Sequence, residues 1–177
     1  MPLQQKAPCC LEHEESWFAL RVKTRCEKLV ADSLSRRGYQ EFLPLFRARR
    51  KWSDRYQEVD LPLFPGYVFC HFPIHRRLPI LTVPGVLHVV GIGKTPLPVD
   101  EREIAALRSA VDSGLLMQPW PFLKVGQVVR LEEGPLRNVE GILTEIKGSH
   151  QLVVSITLLQ RSVAVSVERH WVRPYSN

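Results

Sequence analysis

The chain has 177 residues, of which 45% are apolar and 24% are charged, a balance typical of ordinary globular proteins. No apolar run approaches the ~18 residues that a bilayer-spanning segment needs. Residues 1–15 lack the apolar core of a secretory signal and are expected to form a disordered tail. The 4 cysteines make no recognisable disulfide framework, which fits a reducing compartment. These features predict a cytoplasmic protein with no membrane partner.

Positive charge is concentrated in the first half of the chain. Residues 16–98 contain 14 Lys/Arg against 6 Asp/Glu, a balance of 14 − 6 = +8, whereas the formal net charge of the whole chain is +6. The flanking segments are therefore slightly acidic. A concentrated positive stretch suits contact with a polyanion such as nucleic acid. A solvated basic surface explains the charge equally well.

The first predicted elements are a strand and a helix. Residues 16–22 (SWFALRV) are rich in strand-forming side chains and predict a buried strand. Thr24 and Glu27 have the spacing of a capping box. Behind them, one apolar stripe at helical spacing consists of Cys26, Leu29, Val30 and Leu34. A helix is therefore predicted over residues 25–37, and Gly38 is placed to end it.

The segment after this helix predicts further strands and a basic excursion. Residues 41–46, 67–72 and 86–90 combine aromatic and β-branched side chains, and Pro-Gly pairs precede the second and third of these runs. Residues 47–57 are polar and basic. This excursion is expected to be a hairpin tip or a mobile loop.

A second helix and a linker follow. Asp100 and Glu103 repeat the capping-box spacing, with Asp100 as the N-cap, and Gly114 is placed to end the helix. The order strand, helix, strands, helix predicts a small α/β sandwich over residues 16–112. Residues 113–122 contain a glycine and two prolines, a composition typical of a linker without structure of its own.

The last part of the chain predicts an all-β unit. Short β-rich runs occur at residues 127–131, 139–146, 152–156 and 163–167, and turn residues separate them. Helical periodicity is absent from this part of the sequence. Short strands this closely spaced predict a small β-barrel over residues 123–175. The predicted fold class is therefore α+β, with two domains.

Two motifs resemble the signatures of one protein family. Residues 63–69 (LFPGYVF), followed by residues 83–86 (VPGV), resemble the N-terminal domain of NusG transcription factors, in which a Phe-Pro-Gly-Tyr turn enters a central strand. Residues 125–131 (VGQVVRL) and 134–141 (GPLRNVEG) resemble a KOW motif, the core of a small SH3-like barrel. With the two motifs in this order, the chain is identified as a member of the NusG family, and the likeness covers residues 16–174.

The resemblance implies an elongation or antitermination factor that binds RNA polymerase and suppresses pausing or termination. In this family, an apolar surface of the N-terminal domain docks on the clamp helices of the largest polymerase subunit. Motif position assigns Phe64, Tyr67 and Phe69 to this contact. Pro65 before Gly66 favours a type II turn that projects Phe64 and Tyr67. Packing in the protein core is the alternative role for the three aromatic side chains.

The basic excursion is one candidate contact with nucleic acid. It contains Arg49, Arg50, Lys51 and Trp52, and cations suit phosphates while an aromatic ring can stack on an unpaired base. In the family this region points toward upstream DNA or the neighbouring polymerase subunit. A solvated loop is the alternative.

A second candidate contact with DNA is the triplet His75, Arg76 and Arg77, which we call the basic triplet. It follows the predicted central strand, in the region where specialised family members such as RfaH touch the non-template DNA strand. Three donors together fit contact with phosphates or base edges. An ordinary connection with its charges in water is the alternative.

The KOW barrel is expected to recruit a second partner, and the resemblance points to Leu158, Leu159 and Arg161 as its surface. The family has a Phe-Gly-Arg turn here, which contacts the ribosome or the termination factor Rho. In this chain Leu159 replaces the phenylalanine and Gln160 the glycine. This departure favours a specialised member of the family over its housekeeping factor.

Other classes of function fit the sequence less well. A ribosomal or RNA-binding KOW protein would lack the Phe-Pro-Gly-Tyr domain. A thiol-dependent enzyme would need a base beside its nucleophile, but Cys70 and His71 are neighbours on a predicted strand and point to opposite faces. No phosphate-binding loop, zinc-protease motif or paired carboxylates are present. The chain is therefore expected to be a non-enzymatic binding protein without a metal or cofactor.

Overall fold

The computed structural model describes residues 15–52, 55–121, 127–146 and 149–174, and the tail predicted for residues 1–15 lies outside it except for its last residue. The helices are α1 (Glu27–Arg36), α2 (Leu78–Leu81) and α3 (Glu101–Asp112). The strands are β1 (Glu15–Val22), β2 (Gln40–Phe42), β3 (Leu45–Trp52), β4 (Arg55–Pro62), β5 (Tyr67–Pro73), β6 (Val86–Val89), β7 (Gly91–Ile92), β8 (Thr95–Pro96), β9 (Met117–Pro121), β10 (Gln127–Leu131), β11 (Glu140–Ile146), β12 (Ser149–Ile156), β13 (Arg161–Ser166) and β14 (Val172–Pro174). Short 3-10 turns occupy Ile74–Arg76, Thr157–Leu159 and Arg169–Trp171.

The first half of the chain is built on a four-stranded antiparallel sheet with the order β2-β5-β1-β6, which we call the N-terminal sheet. Successive side chains of β1 alternate between its two faces. Phe18 and Leu20 pack with α1 and α2, whereas Trp17 and Ala19 pack on the side of α3. Helices therefore cover both faces of the sheet, as the predicted sandwich requires.

The predicted capping box of α1 is wrong. Cys26 precedes the helix without a side-chain cap, and the carboxylate of Glu27 is buried and turned toward Gly66. The predicted apolar stripe also shifts, because Leu29 is 58% exposed whereas Ala31 is buried. Gly38 ends the helix as predicted, with a φ of +81° that suits glycine.

The predicted start of α3 is half right. Asp100 is the N-cap, and its carboxylate accepts the N–H of Arg102 at 2.8 Å. Glu103 does not return to the cap and instead reaches Thr157, far along the chain. Apolar side chains of α3 are buried against the N-terminal sheet, and the Arg108 guanidinium carbon lies 4.6 Å from the ring centre of Trp17. The helix is therefore fixed to the sheet by both apolar and cation–π contacts.

The second half of the chain forms a six-stranded antiparallel sheet with the order β14-β10-β11-β12-β13-β9, which we call the C-terminal sheet. The four strands predicted in this half correspond to β10, β11, β12 and β13. β9 was not predicted, because residues 113–122 were expected to be an unstructured linker. Its prolines do not prevent pairing with β13, since they occupy alternate positions and leave Gln118 and Trp120 to donate.

A further pair of strands extends from the first half. β3 and β4 form a two-stranded antiparallel hairpin that contains the predicted basic excursion. The single predicted strand over residues 41–46 is divided between β2 and β3. Within the described residues, none of the helices is long and apolar enough to span a membrane.

Candidate functional site

The turn between β4 and β5 has the predicted geometry. The N–H of Tyr67 donates to the carbonyl of Phe64 at 3.1 Å, and Gly66 has a φ of +82°. The N–H of Gly66 donates to Oε1 of Glu27 at 2.8 Å in a buried setting. A positive φ strains any residue with a Cβ, and a Cβ at Gly66 would also displace the guanidinium of Arg21, which would lie 2.5 Å away. The buried carboxylate and the glycine together fix the direction in which the chain enters β5.

The aromatic residues predicted to contact polymerase have different exposures. Phe64 and Phe69 are buried, at 1% and 0% exposure, and their rings meet edge to face at 5.8 Å. Tyr67 is half-buried. In this arrangement Phe64 and Phe69 therefore pack in the core, which was the alternative role considered for them. Polymerase contact through these residues stays a prediction.

Tyr67 joins the two halves of the chain. The guanidinium carbon of Arg21 lies 4.7 Å from the centre of its ring, and that of Arg161 lies 5.2 Å from it. Arg161 begins β13 and belongs to the predicted KOW partner surface. Leu158 and Leu159 from the same predicted surface pack against a hydrophobic cluster that also contains Phe64 and Phe69. The residues predicted to contact polymerase and those predicted to contact a second partner thus share one cluster.

A hydrogen bond between α3 and the C-terminal sheet reinforces this contact. The backbone N–H of Thr157 donates to the Glu103 carboxylate, at 3.1 Å and 3.2 Å from its two oxygens. Sequence reasoning missed this pair, since the residues are 54 positions apart and neither carries a motif. An open cleft of about 780 Å³ separates α3 from the C-terminal sheet beside it, with Ala105, Ala106 and Val128 among its lining residues. The contact between the two halves is therefore incomplete.

The basic triplet is exposed, in a 3-10 turn between β5 and α2. A further cation, distant in sequence, contacts the segment that follows the triplet. Arg37, at the end of α1, donates through Nη1 to the carbonyl of Pro79 at 2.7 Å and to Oγ1 of Thr82 at 3.1 Å. These bonds hold α2 against α1, so the segment that carries the basic triplet is anchored at its far end.

The β3–β4 hairpin balances part of the predicted basic excursion with acidic and aromatic partners. Arg49 lies opposite Glu58 in the register of the two strands, and its guanidinium carbon lies 4.4 Å from the ring centre of Tyr56. A guanidinium nitrogen of Arg47 lies 3.9 Å from a carboxylate oxygen of Asp60, in a largely exposed pair. Arg49 thus already has an aromatic partner within the chain.

The other excursion residues predicted to bind nucleic acid lie near the hairpin tip. The backbones of Arg50, Lys51 and Trp52 belong to β3, and their side chains lie outside the described part of the structure. The tip is closed by strand pairing as far as Trp52. Of the two alternatives predicted for the excursion, a hairpin tip or a mobile loop, its paired part is therefore the hairpin.

Cys70 does not fit a nucleophile's role. Its side chain is fully buried, and burial together with the nearby charge of Glu41 raises the pKa of its thiol from 9.0 to about 12. The reactive form of cysteine is the thiolate, which this environment suppresses at neutral pH. Burial likewise raises the pKa of the Glu41 carboxyl, although the charge of Arg108 opposes the shift.

Comparison with known proteins identifies the family. Residues 15–108, which are 94 of the 177 residues, match the family model described as "Transcription termination factor nusG". Two curated relatives are named "Transcription termination/antitermination protein NusG". The one from Helicobacter pylori is 25% identical, with 85% of this chain and 93% of that protein covered. The one from Lactococcus lactis is also 25% identical, with 90% and 92% covered.

A solved structure supports the same assignment at the level of the fold. The structure titled "Domain interaction in Thermotoga maritima NusG" covers 92% of this chain and 98% of its own, with a TM-score of 0.57 and 20% sequence identity. The likeness extends over both halves of the chain. With more than half of its residues matched by the family model, this chain belongs to the NusG family.

Proposed function

We propose that this chain is a transcription elongation and antitermination factor that binds RNA polymerase. The observation that carries the proposal is the family match over residues 15–108, the segment that contains the turn from Phe64 to Tyr67. Curated relatives named for termination and antitermination align over most of their own length. A cytoplasmic binding protein of this kind acts by stabilising one state of the polymerase over another.

Each half of the chain has its own task in this proposal. Residues 16–112 form the polymerase-binding domain, with Tyr67 and the neighbouring aromatic residues directed at the clamp helices of the largest subunit. Residues 123–175 form a KOW barrel that recruits a second partner, such as the ribosome or Rho, through Leu158, Leu159 and Arg161. The antiparallel strands of the C-terminal sheet support this assignment.

Binding to polymerase then requires the two halves to separate. Tyr67 is covered by Arg161, and Phe64 belongs to a cluster that continues into the C-terminal sheet. We call the arrangement in which these residues of the two halves contact each other the closed arrangement. It competes with polymerase for the same residues. The apparent affinity for polymerase is therefore the intrinsic affinity reduced by the fraction of open molecules.

Two variants of one contact test the proposal, because they change polymerase affinity in opposite directions. Arg161→Ala removes the partner that the second half of the chain gives Tyr67, leaves Arg21 in place, and should raise the affinity of the full chain for core RNA polymerase. Tyr67→Ala removes the predicted anchor and should lower that affinity by about 1–3 kcal/mol. Pause escape in a transcription assay should follow the same order.

A control variant separates these effects from a general loss of folding. Leu29 is 58% exposed on α1, on the other face of the N-terminal sheet, so Leu29→Ala should leave polymerase affinity unchanged. If the two test variants raise the affinity equally, Tyr67 serves only the closed arrangement. If neither the wild-type chain nor Arg161→Ala binds polymerase, the proposed function is wrong.

A further inference from the structure

The connection between α3 and the C-terminal sheet is hydrogen-bonded along its whole length. Three backbone bonds run along it: Ser113 N–H to Ser109 O at 3.0 Å, Gly114 N–H to Val111 O at 3.3 Å and Ser166 N–H to Leu116 O at 2.9 Å. In addition, the N–H of Leu115 donates to Oγ of Ser113 at 3.2 Å. Gly114 has a φ of +66°, which suits the reversal after a helix. β9 begins at the next residue after Leu116, so no slack segment joins α3 to the sheet.

The register of β9 on β13 decides which of its backbone groups face the sheet. Leu116 is hydrogen-bonded to Ser166, and in an antiparallel ladder such pairs recur at every second residue. The N–H groups of Gln118 and Trp120 therefore face β13. The other edge of β13 faces β12, and there the N–H of Val167, just after β13, donates to the carbonyl of His150 at 3.1 Å. Odd-numbered residues of β13 therefore face β12, and even-numbered residues face β9.

Both prolines of β9 lie at positions that face away from β13. Pro119 and Pro121 alternate with the two donating residues, so their nitrogens lie along the outer edge of the strand. Proline has no N–H to donate. β9 is the last strand in the order of the C-terminal sheet. Its inner edge thus keeps every donor for β13, while its outer edge resists pairing with another strand.

We propose that β9 is a strap that holds the chain closed. While it is paired with β13, the strap keeps the C-terminal sheet beside α3, where Thr157 bonds Glu103 and Arg161 covers Tyr67. Detaching the strap is the step that lets the two halves separate. The strap therefore controls how often the surfaces of both halves are exposed.

The length of the connection sets the size of this effect. With the strap paired, residues 113–116 separate α3 from the sheet and can span at most roughly 14 Å. With the strap detached, 14 residues separate α3 from the start of β10 at Gln127, and a chain of that length spans at most roughly 50 Å. Effective concentration falls as about the −3/2 power of tether length, so this change lowers it roughly sixfold.

Exchanging two neighbouring residues tests the strap at constant composition. Gln118→Pro combined with Pro119→Gln moves one proline from the outer to the inner edge of β9, and both side chains are exposed in the wild-type chain. The swap should detach the strap, so the amides of Ser162 and Ala164, which face β9, should exchange faster. The amides of Val163 and Val165, which face β12, should stay protected.

Opening is measured separately, by small-angle X-ray scattering of the full chain without polymerase. The swap should raise the ratio of open to closed molecules roughly sixfold. Pro119→Gln alone is the matched control, because it adds a donor at the outer edge and leaves the inner ladder intact. It should change neither amide exchange in β13 nor the scattering.

A second variant lengthens the connection and leaves β9 untouched. Inserting about ten Gly/Ser residues after Gly114 gives the tether the length it has when the strap is detached. This variant should open to a similar extent as the swap, while the amides of Ser162 and Ala164 stay protected from exchange. If the swap unfolds the C-terminal sheet, the insertion variant still tests whether the length of the connection controls opening. Unchanged scattering in the insertion variant would overturn the proposal. So would continued protection of Ser162 and Ala164 in a folded swap variant. Since neither readout needs polymerase, the result is independent of the proposed function.

Discussion

The carboxylate of Glu103 receives the backbone N–H of Thr157, with 3.1 Å and 3.2 Å to its two oxygens, and so ties α3 to the C-terminal sheet. Thr157 begins the 3-10 turn that leads through Leu158 and Leu159 to β13. The bond therefore fixes the start of the predicted partner surface against the predicted polymerase-binding half. A carboxylate acceptor makes it stronger than a bond between neutral groups.

Removing this carboxylate should favour the open chain. Because solvent weakens this exposed bond, Glu103→Ala loses about 1 kcal/mol. That loss corresponds to roughly a fivefold rise in polymerase affinity if opening limits binding. Titration of the full-length variant against core RNA polymerase measures the change. Glu101→Ala is the control, since it removes the same charge from the same helical turn without a contact to Thr157. If the two variants raise polymerase affinity equally, the cause is the loss of a negative charge from the first turn of α3 and not the loss of the bond to Thr157.

The sequence predicted those parts of the fold whose causes are local. The Asp100 cap of α3, the positive φ of Gly66 and four strands of the C-terminal sheet each follow from residues within one turn or one strand. The strand β9 escaped prediction because Pro119 and Pro121 indicate a linker when their neighbours are unknown. Only the register on β13 shows that these two positions need no donor.

The site was predicted less completely than the fold, because its contacts join distant residues. Glu103 has the spacing of a capping box, yet its partner is Thr157. Glu27 has the same spacing after Thr24, yet its carboxylate serves Gly66, 39 positions away. In both cases the tertiary partner replaces the local one. Sequence spacing identified the acidic residue but could not identify the donor.

The buried acceptor at Glu27 should matter for stability. Glu27→Ala leaves the N–H of Gly66 buried without its acceptor, which costs about 1–3 kcal/mol of unfolding free energy. Urea denaturation followed by circular dichroism measures the loss. Asp32→Ala on the same helix is the control, because its pair with Arg36 is exposed and contributes only about 0.3–0.5 kcal/mol. A loss at Glu27 no larger than at Asp32 would contradict the role given to the buried bond.

Cys70 should make the folded chain sensitive to alkali. Its folded pKa is raised from 9.0 to about 12, so the folded state holds this proton more tightly than the unfolded state. The resulting stability is fully present below pH 9 and is lost as the pH rises toward 12, at up to about 1.4 kcal/mol per pH unit. Unfolding free energies of the wild-type chain and Cys70→Ala, measured across this range, should converge as the pH rises. Parallel curves would show that another group causes the alkaline loss.

The basic triplet offers a test of DNA contact that leaves the closed arrangement untouched. Arg76 and Arg77 are exposed between β5 and α2, a segment that Arg37 anchors through Pro79. If these arginines contact the non-template strand, Arg76→Ala with Arg77→Ala should reduce pause suppression on templates with an exposed bubble, while affinity for free polymerase stays unchanged. In the wild-type chain, the part of pause suppression that depends on these two arginines should decrease as the salt concentration rises, because contacts with phosphates release counterions. Lys94→Ala with Arg130→Ala removes the same charge elsewhere on the surface and should have no such effect.

Crosslinking from position 76 to non-template DNA in a stalled complex measures this contact directly. If the double variant suppresses pausing fully and no crosslink forms, the two arginines are ordinary surface residues.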